Sequence, residues 1–181
     1  MTGTDPGPKS RFLVLHDYGM GGLWWWVRAR SAREISETFA EVEVVDDPDT
    51  VEQAQTWELD EVDIDAPTMP TGLDGLRAAR TAQRGRHGLG ALADRGIVYL
   101  RHRWDGEDDD PATYLMEVGP DGRRLRQVQL CEDGTALKSG PDDWPLNPPV
   151  VDLFAPEPAD LEVTRDEFET HWRRARHDDH P

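Results

Sequence analysis

The segment Leu15-His16-Asp17-Tyr18-Gly19-Met20-Gly21-Gly22 places an imidazole and a carboxylate at the end of an apolar run, directly before flexible backbone. A glycine-rich turn after a strand can aim peptide amides at an oxyanion or a phosphate, so His16 and Asp17 are candidate ligand contacts. The chemistry stops there. Gly-x-Ser-x-Gly, the elbow that raises a nucleophilic serine, does not occur, and none of the four serines falls at an expected strand-to-helix corner. No Lys-Ser or Lys-Thr pair follows the glycines, which removes a nucleoside-triphosphate loop.

A second set of groups is cationic. Arg77, Arg80 and Arg84 recur at i, i+3 and i+7, on one face of an expected helix, and Arg101 and Arg103 follow on an expected strand. Guanidinium forks fit carboxylates and phosphates, so these five are candidate contacts for an anionic ligand or partner. With 37 carboxylates in the chain, internal salt bridges compete for the same cations. The clusters Asp46/Asp47/Asp49, Glu61/Asp63/Asp65 and Glu107 to Asp110 offer hard oxygens. None has the central glycine and terminal glutamate of a calcium-binding loop. Cys131 has no second cysteine and no spaced histidines for zinc, and His102 and His171 read as packing residues. No catalytic residue, metal or cofactor is assigned.

Aromatic surface is the third candidate. Alternation along a strand sends Trp24 and Trp26 to one face and Trp25 to the other. Either that strand is covered on both faces, or at least one indole is open to a partner, where aromatic area concentrates binding energy. Charge sets the sign of such a partner. The net charge of −17 divides into −10 over residues 1–70, +5 over 71–104, −11 over 105–164 and −1 over 165–181. A pI near 4.6 argues against nucleic acid as a direct ligand, because phosphate binding needs clustered cations; it fits either a generally acidic proteome or a basic protein partner, and composition alone does not separate the two.

Periodicity supplies the frame that must hold these groups. Residues 11–16 and 23–29 are β-prone runs around the glycine-rich link, a hairpin with a long loop. Ser31 and Glu34 have capping-box spacing, and Ala32, Ile35 and Phe39 form the apolar stripe of the helix behind them. Glu41 to Val45 alternates and Asp46 to Asp49 closes it, so the first part reads β-β-α-β. Residues 58–65 alternate again, as an edge strand with an acidic, solvated side. Ala66 to Pro70 breaks the pattern and marks a boundary, after which Thr71 or Asp74 caps a helix ending near Arg84.

From Ile97 the reading is β at 97–104, 112–118, 123–131 and 135–138, an antiparallel meander joined by short links. Residues 140–160, rich in proline and glycine, read as an ordered loop crossing the sheet. Thr164 and Glu167 open a last helix with Phe168, Trp172 and Ala175 on one stripe. The expected fold is therefore α+β. Its parts are a tail 1–10, a β-β-α-β unit 11–66, a linker with a basic helix 67–96, a meander plus helix 97–176, and a tail 177–181. Whether the two parts share one sheet is left open.

The second half, from Tyr99-Leu-Arg-His-Arg-Trp104 through Tyr114 to Glu117, Arg126 to Leu130, Glu132-Asp-Gly134 and Glu167 to Trp172, resembles small bacterial, actinobacterial-looking domains of unknown function. Those domains are similar in build to immunity and antitoxin-like proteins. The resemblance covers about residues 97–176 and implies a fold; no catalytic residue comes with it.

With one cysteine, no signal peptide and no apolar stretch of membrane length, the expected compartment is the cytoplasm, away from the membrane. The expected function is a non-enzymatic acidic binding protein of the immunity, antitoxin or adaptor type that engages a basic partner. One alternative is a small-anion-binding protein or enzyme using the 16–22 loop with nearby arginines. Another is a self-associating structural protein, and oligomeric state is not legible from these residues.

Overall fold

The apolar runs on either side of the glycine-rich link pair along their whole length. β1 (Ser10–Asp17) and β2 (Gly22–Ala29) are antiparallel, with Leu13 opposite Trp26 and Val14 opposite Trp25. The structure is a computed structural model and describes residues 7–105, 111–144 and 148–177. It divides between Gly85 and Arg86 into two compact units.

In the first unit the chain continues through α1 (Ala32–Thr38), β3 (Glu43–Val45), α2 (Pro48–Ala54), β4 (Glu61–Asp63) and α3 (Leu73–Gln83). The sheet order is β3-β1-β2-β4, with β3 antiparallel to β1 and β4 parallel to β2. Ser31 caps α1 by accepting from the Glu34 amide; the Glu34 carboxylate returns to the amide of Arg30, one residue before the expected cap amide. α2 starts at Pro48, whose φ is preset for a first turn, behind Asp47, which accepts from the Thr50 amide.

Both faces of this sheet are buried. Val14, Trp25 and Val27 pack with Ile35, Phe39, Ile64 and Leu73, whereas Leu13 and Trp26 on the opposite face pack with Ala54, Val51 and Trp57. Leu73 and Leu76 on α3 join the first of these cores, so the helix expected in a 67–96 linker is part of the first unit. Its start is Gly72, at φ +90°, rather than Thr71 or Asp74 as a cap. Asp74 instead accepts from the Gly72 amide. A Cβ at Gly72 would press on Leu23 and Trp25, so both the backbone conformation and the space require glycine there.

The second unit holds β5 (Val98–Trp104), β6 (Ala112–Val118), β7 (Arg124–Cys131) and β8 (Ala136–Ser139), hydrogen-bonded in chain order as an antiparallel meander. Then come α4 (Glu157–Asp160), α5 (Arg165–Arg174) and β9 (Arg176–His177). β9 adds parallel to β8, so His177 belongs to the sheet and not to the expected tail, whose last four residues lie outside the described ones. Thr164 caps α5, and Phe168 and Trp172 pack over Leu115 and Val128 on one face. Part of the other face, with Val98, Leu100, Met116 and Val118, is covered by Leu92, Val151, Leu153 and Ala159. The fold is α+β, with two separate sheets rather than a shared one.

Candidate functional site

The glycine-rich loop is spent on its own geometry. Asp17 accepts from the Gly19 amide at 2.7 Å, the Tyr18 amide donates to the Gly21 carbonyl, and His16 Nδ1 lies 2.8 Å from the Glu41 carbonyl oxygen. What the loop offers outward is apolar: Tyr18 and Met20 are 58% and 96% exposed. The tryptophan triplet takes the covered-strand alternative. Trp25 and Trp26 are buried in opposite cores, Trp24 packs edge-on against Trp57 at 5.2 Å, and Arg11 stacks over Trp26 at 3.9 Å. As contact surfaces, Trp25 and Trp26 are corrected to core residues.

Two members of the arginine stripe, Arg77 and Arg80, are turned to internal use. Arg77 donates to the carbonyls of Ala66 and Pro67, both at 2.9 Å, and closes the turn before α3. Arg80 is buried, donating to the Phe39 carbonyl and to Gln83. Only Arg84 of the three is exposed. Arg101 and Arg103 belong to the second unit, where Arg101 pairs with Glu167, and Arg103 with Asp105 at 2.7 Å and Glu132 at 3.3 Å. The anion pocket expected from the 16–22 loop with Arg77, Arg80 or Arg101 therefore has its guanidiniums committed elsewhere.

The carboxylate clusters separate into two kinds. On β4 and just beyond, Glu61 pairs with Arg11 and Arg28, Asp63 with Lys9, and Asp65 with Lys9 and Arg30. Hydrogen bonds from Arg30 and then Lys9 hold the Asp65 carboxyl down at about 2. The expected solvated acidic edge is thus a neutralised row. Around α2 the opposite holds. Asp46, Asp49, Glu52, Glu58 and Asp60 are exposed, and among the described residues no cation pairs with them. The chain has no lysine or arginine between Arg33 and Arg77. No group of three or more His, Cys, Asp or Glu able to hold a metal occurs among the described residues, and Glu107 to Asp110 lie outside them.

A different constellation forms on the second sheet. In register, His102 faces Tyr114 and Trp104 faces Ala112, so the open part of the face that Leu92 and Leu153 cover elsewhere collects aromatic groups. His102, Trp104, Tyr114, Met116 and Arg124 line a cleft of about 310 Å³. Trp104 is 50% exposed.

Arg124 is the unusual member. Its Nη1 donates to Gln127 at 2.9 Å, but its Nε is buried and bonded to nothing. No carboxylate pairs with it among the described residues, whereas Arg101, Arg103, Arg123 and Arg126 on the same sheet or its turns each have one. Burial pushes the Arg124 guanidinium below its ordinary value, with Tyr114 a lesser, opposing influence. A buried donor left unpaired costs about 1–3 kcal/mol, so this side chain is held at the expense of stability.

Sequence reasoning set His102 aside as packing and did not single out Tyr114, Met116 or Arg124. Alternation puts 102 with 104 and 114 with 116. Their meeting depends on the register across residues 105–111, which no residue pattern reveals.

Arg126, two residues from Arg124, shows the contrasting case. It pairs with Glu117 across the strands and with Glu169 on α5, and its guanidinium lies 4.9 Å from the Phe168 ring centre and 4.8 Å from that of Trp172. Burial lowers its pKa, but the hydrogen bonds to Glu117 and Glu169 outweigh burial and hold it above the ordinary value. This is a structural clamp between sheet and helix.

Comparison with known protein families, with curated proteins and with solved structures finds no match for this chain. Among the described residues no helix is long and apolar enough to cross a membrane.

Proposed function

We propose that this chain is a non-enzymatic binding protein of the cytoplasm, of the immunity, antitoxin or adaptor kind, that engages a basic protein through the acidic surface around α2. The contrast between its two carboxylate clusters carries the reading. Lys9, Arg11, Arg28 and Arg30 neutralise the β4 row, yet Asp46, Asp49, Glu52, Glu58 and Asp60 stand exposed with no cation against them among the described residues. Exposed carboxylates concentrated within residues 46–60 steer a cationic partner, raising its rate of encounter. A nuclease-like toxin or another nucleic-acid-handling protein has the required basic surface, because it must itself bind phosphates. A single cysteine agrees with a reducing compartment.

The test is affinity capture by the tagged protein from its native host at about 50 mM and about 300 mM salt, beside an Asp49→Lys/Glu52→Lys variant. A basic protein retained at low salt, released at high salt and lost with the variant is the expected result. Equal recovery by the variant, or no salt-sensitive partner, overturns it.

A further inference from the structure

We propose that the cleft on the second sheet binds a small aromatic carboxylate, its ring laid against Trp104 and Tyr114 and its carboxylate on the guanidinium of Arg124. This site is independent of the acidic surface around α2. Three features of the chain's own residues meet in it.

The first is a charge with no counter-ion among the described residues. Arg124 lines the cleft, uses one nitrogen on Gln127, and has no carboxylate among the described residues, in a chain where carboxylates outnumber lysines and arginines by 37 to 20. With so many acids at hand, an intramolecular partner would be easy to supply. A half-buried guanidinium with no carboxylate against it among the described residues suits an anionic ligand, which it can hold through charge-assisted hydrogen bonds.

The second is flat apolar surface beside that charge. Trp104 leaves half its area open, next to Tyr114, His102 and the buried Met116. Small-molecule sites combine such a lining with few polar groups, and a volume of about 310 Å³ suits a ligand of one or two rings. The third is the sign and size of the charge. One guanidinium in a molecule of net charge −17 balances a carboxylate, but leaves half the charge of a phosphate dianion uncompensated.

The experiment is calorimetric titration of the full-length protein with benzoate, 2-naphthoate and indole-3-acetate. 2-Naphthalenemethanol serves as the neutral isostere and 2-naphthyl phosphate as the dianion. At least one acid is expected to bind with Kd about 0.1 mM, as ligand size allows. The neutral isostere should bind about tenfold more weakly, and the phosphate no more tightly than the acid.

Arg124→Met should lose about tenfold in affinity for the acid, and so should Trp104→Ala, which removes a half-exposed ring outside the core. The comparison of acid with neutral isostere uses only the unaltered protein, so it decides the matter even if a variant fails to fold. Absence of binding by all three acids at about 1 mM overturns the proposal, as does equal affinity for the isostere or undiminished binding by folded Arg124→Met. A phosphate that binds more tightly than the acid overturns the assignment of a carboxylate.

Discussion

Arg124 and Arg126 lie two residues apart on β7, a spacing that in a regular strand places both side chains on one face. They face opposite ways. The ladder between β6 and β7 shifts register at Glu117/Val118, so that Arg126 stands opposite Glu117 and Arg124 opposite Val118. One extra residue in the strand thus assigns one arginine to a salt-bridged clamp and the other to an open cleft.

The two should respond oppositely to the same substitution. Arg126→Met leaves the buried Glu117 without its counter-ion and should cost about 3 kcal/mol in urea unfolding. Arg124→Met removes an unpaired donor from a half-buried site and should be neutral or mildly stabilising in the absence of ligand. Equal destabilisation by both would show that Arg124 is also a structural residue.

At the scale of elements, the short β4 adds a row of surface ion pairs to its pairing with β2 and its packing through Val62 and the adjoining Ile64. β4 has three residues, and its acidic row is tied to Lys9 before β1 and to Arg30 before α1, which also pairs with Glu34. Asp65 is held at about 2 against an ordinary 3.8, first by Arg30 and then by Lys9, and Asp63 is lowered chiefly by Lys9. A carboxylate lowered in the folded state stabilises fully above its ordinary value. That contribution fades as pH falls toward the folded value.

The difference in melting temperature between the protein and its Asp65→Asn variant should therefore hold above about pH 5, shrink as pH falls through about 2 and vanish near pH 1. Comparing the two proteins cancels the relief of general acidic repulsion, which acts in the other direction. A difference that does not change with pH would mean that Asp65 contributes no charge interaction.

The turn between β6 and β7 is joined to the 148–160 segment by geometry instead. The Val151 amide donates to the Gly122 carbonyl, and a Cβ at Gly122, where φ is +82°, would strike the Val151 carbonyl oxygen. That close approach brings Val151 and Leu153 onto the sheet, and what they leave uncovered is the cleft.

At the scale of the whole molecule the chain is two units, each with cores on both faces of its own sheet. A unit of this size buries enough surface to fold alone. Residues 1–85 and 86–181 made separately should each unfold cooperatively on heating, followed by circular dichroism. A fragment lacking a cooperative transition would show that it depends on the other. The separated pieces also divide the two binding predictions, because the acidic surface belongs to the first unit and the aromatic cleft to the second.

By themselves, the residues determined the local elements. The hairpin, the caps at Ser31 and Thr164, the four meander strands and the Phe168/Trp172 stripe all follow from period, capping and turn chemistry, which act over a few positions. Only the tertiary structure decided where Arg77 and Arg80 send their donors, because backbone carbonyls capable of taking them occur throughout the chain. It decided as well that α3 packs into the first unit, since an apolar stripe states that a helix must be covered but not by what. The cleft was the least legible feature. It depends on the register across one loop, a bulge in β7 and the extent of the covering segment, and each of these is set by contacts between residues distant in sequence.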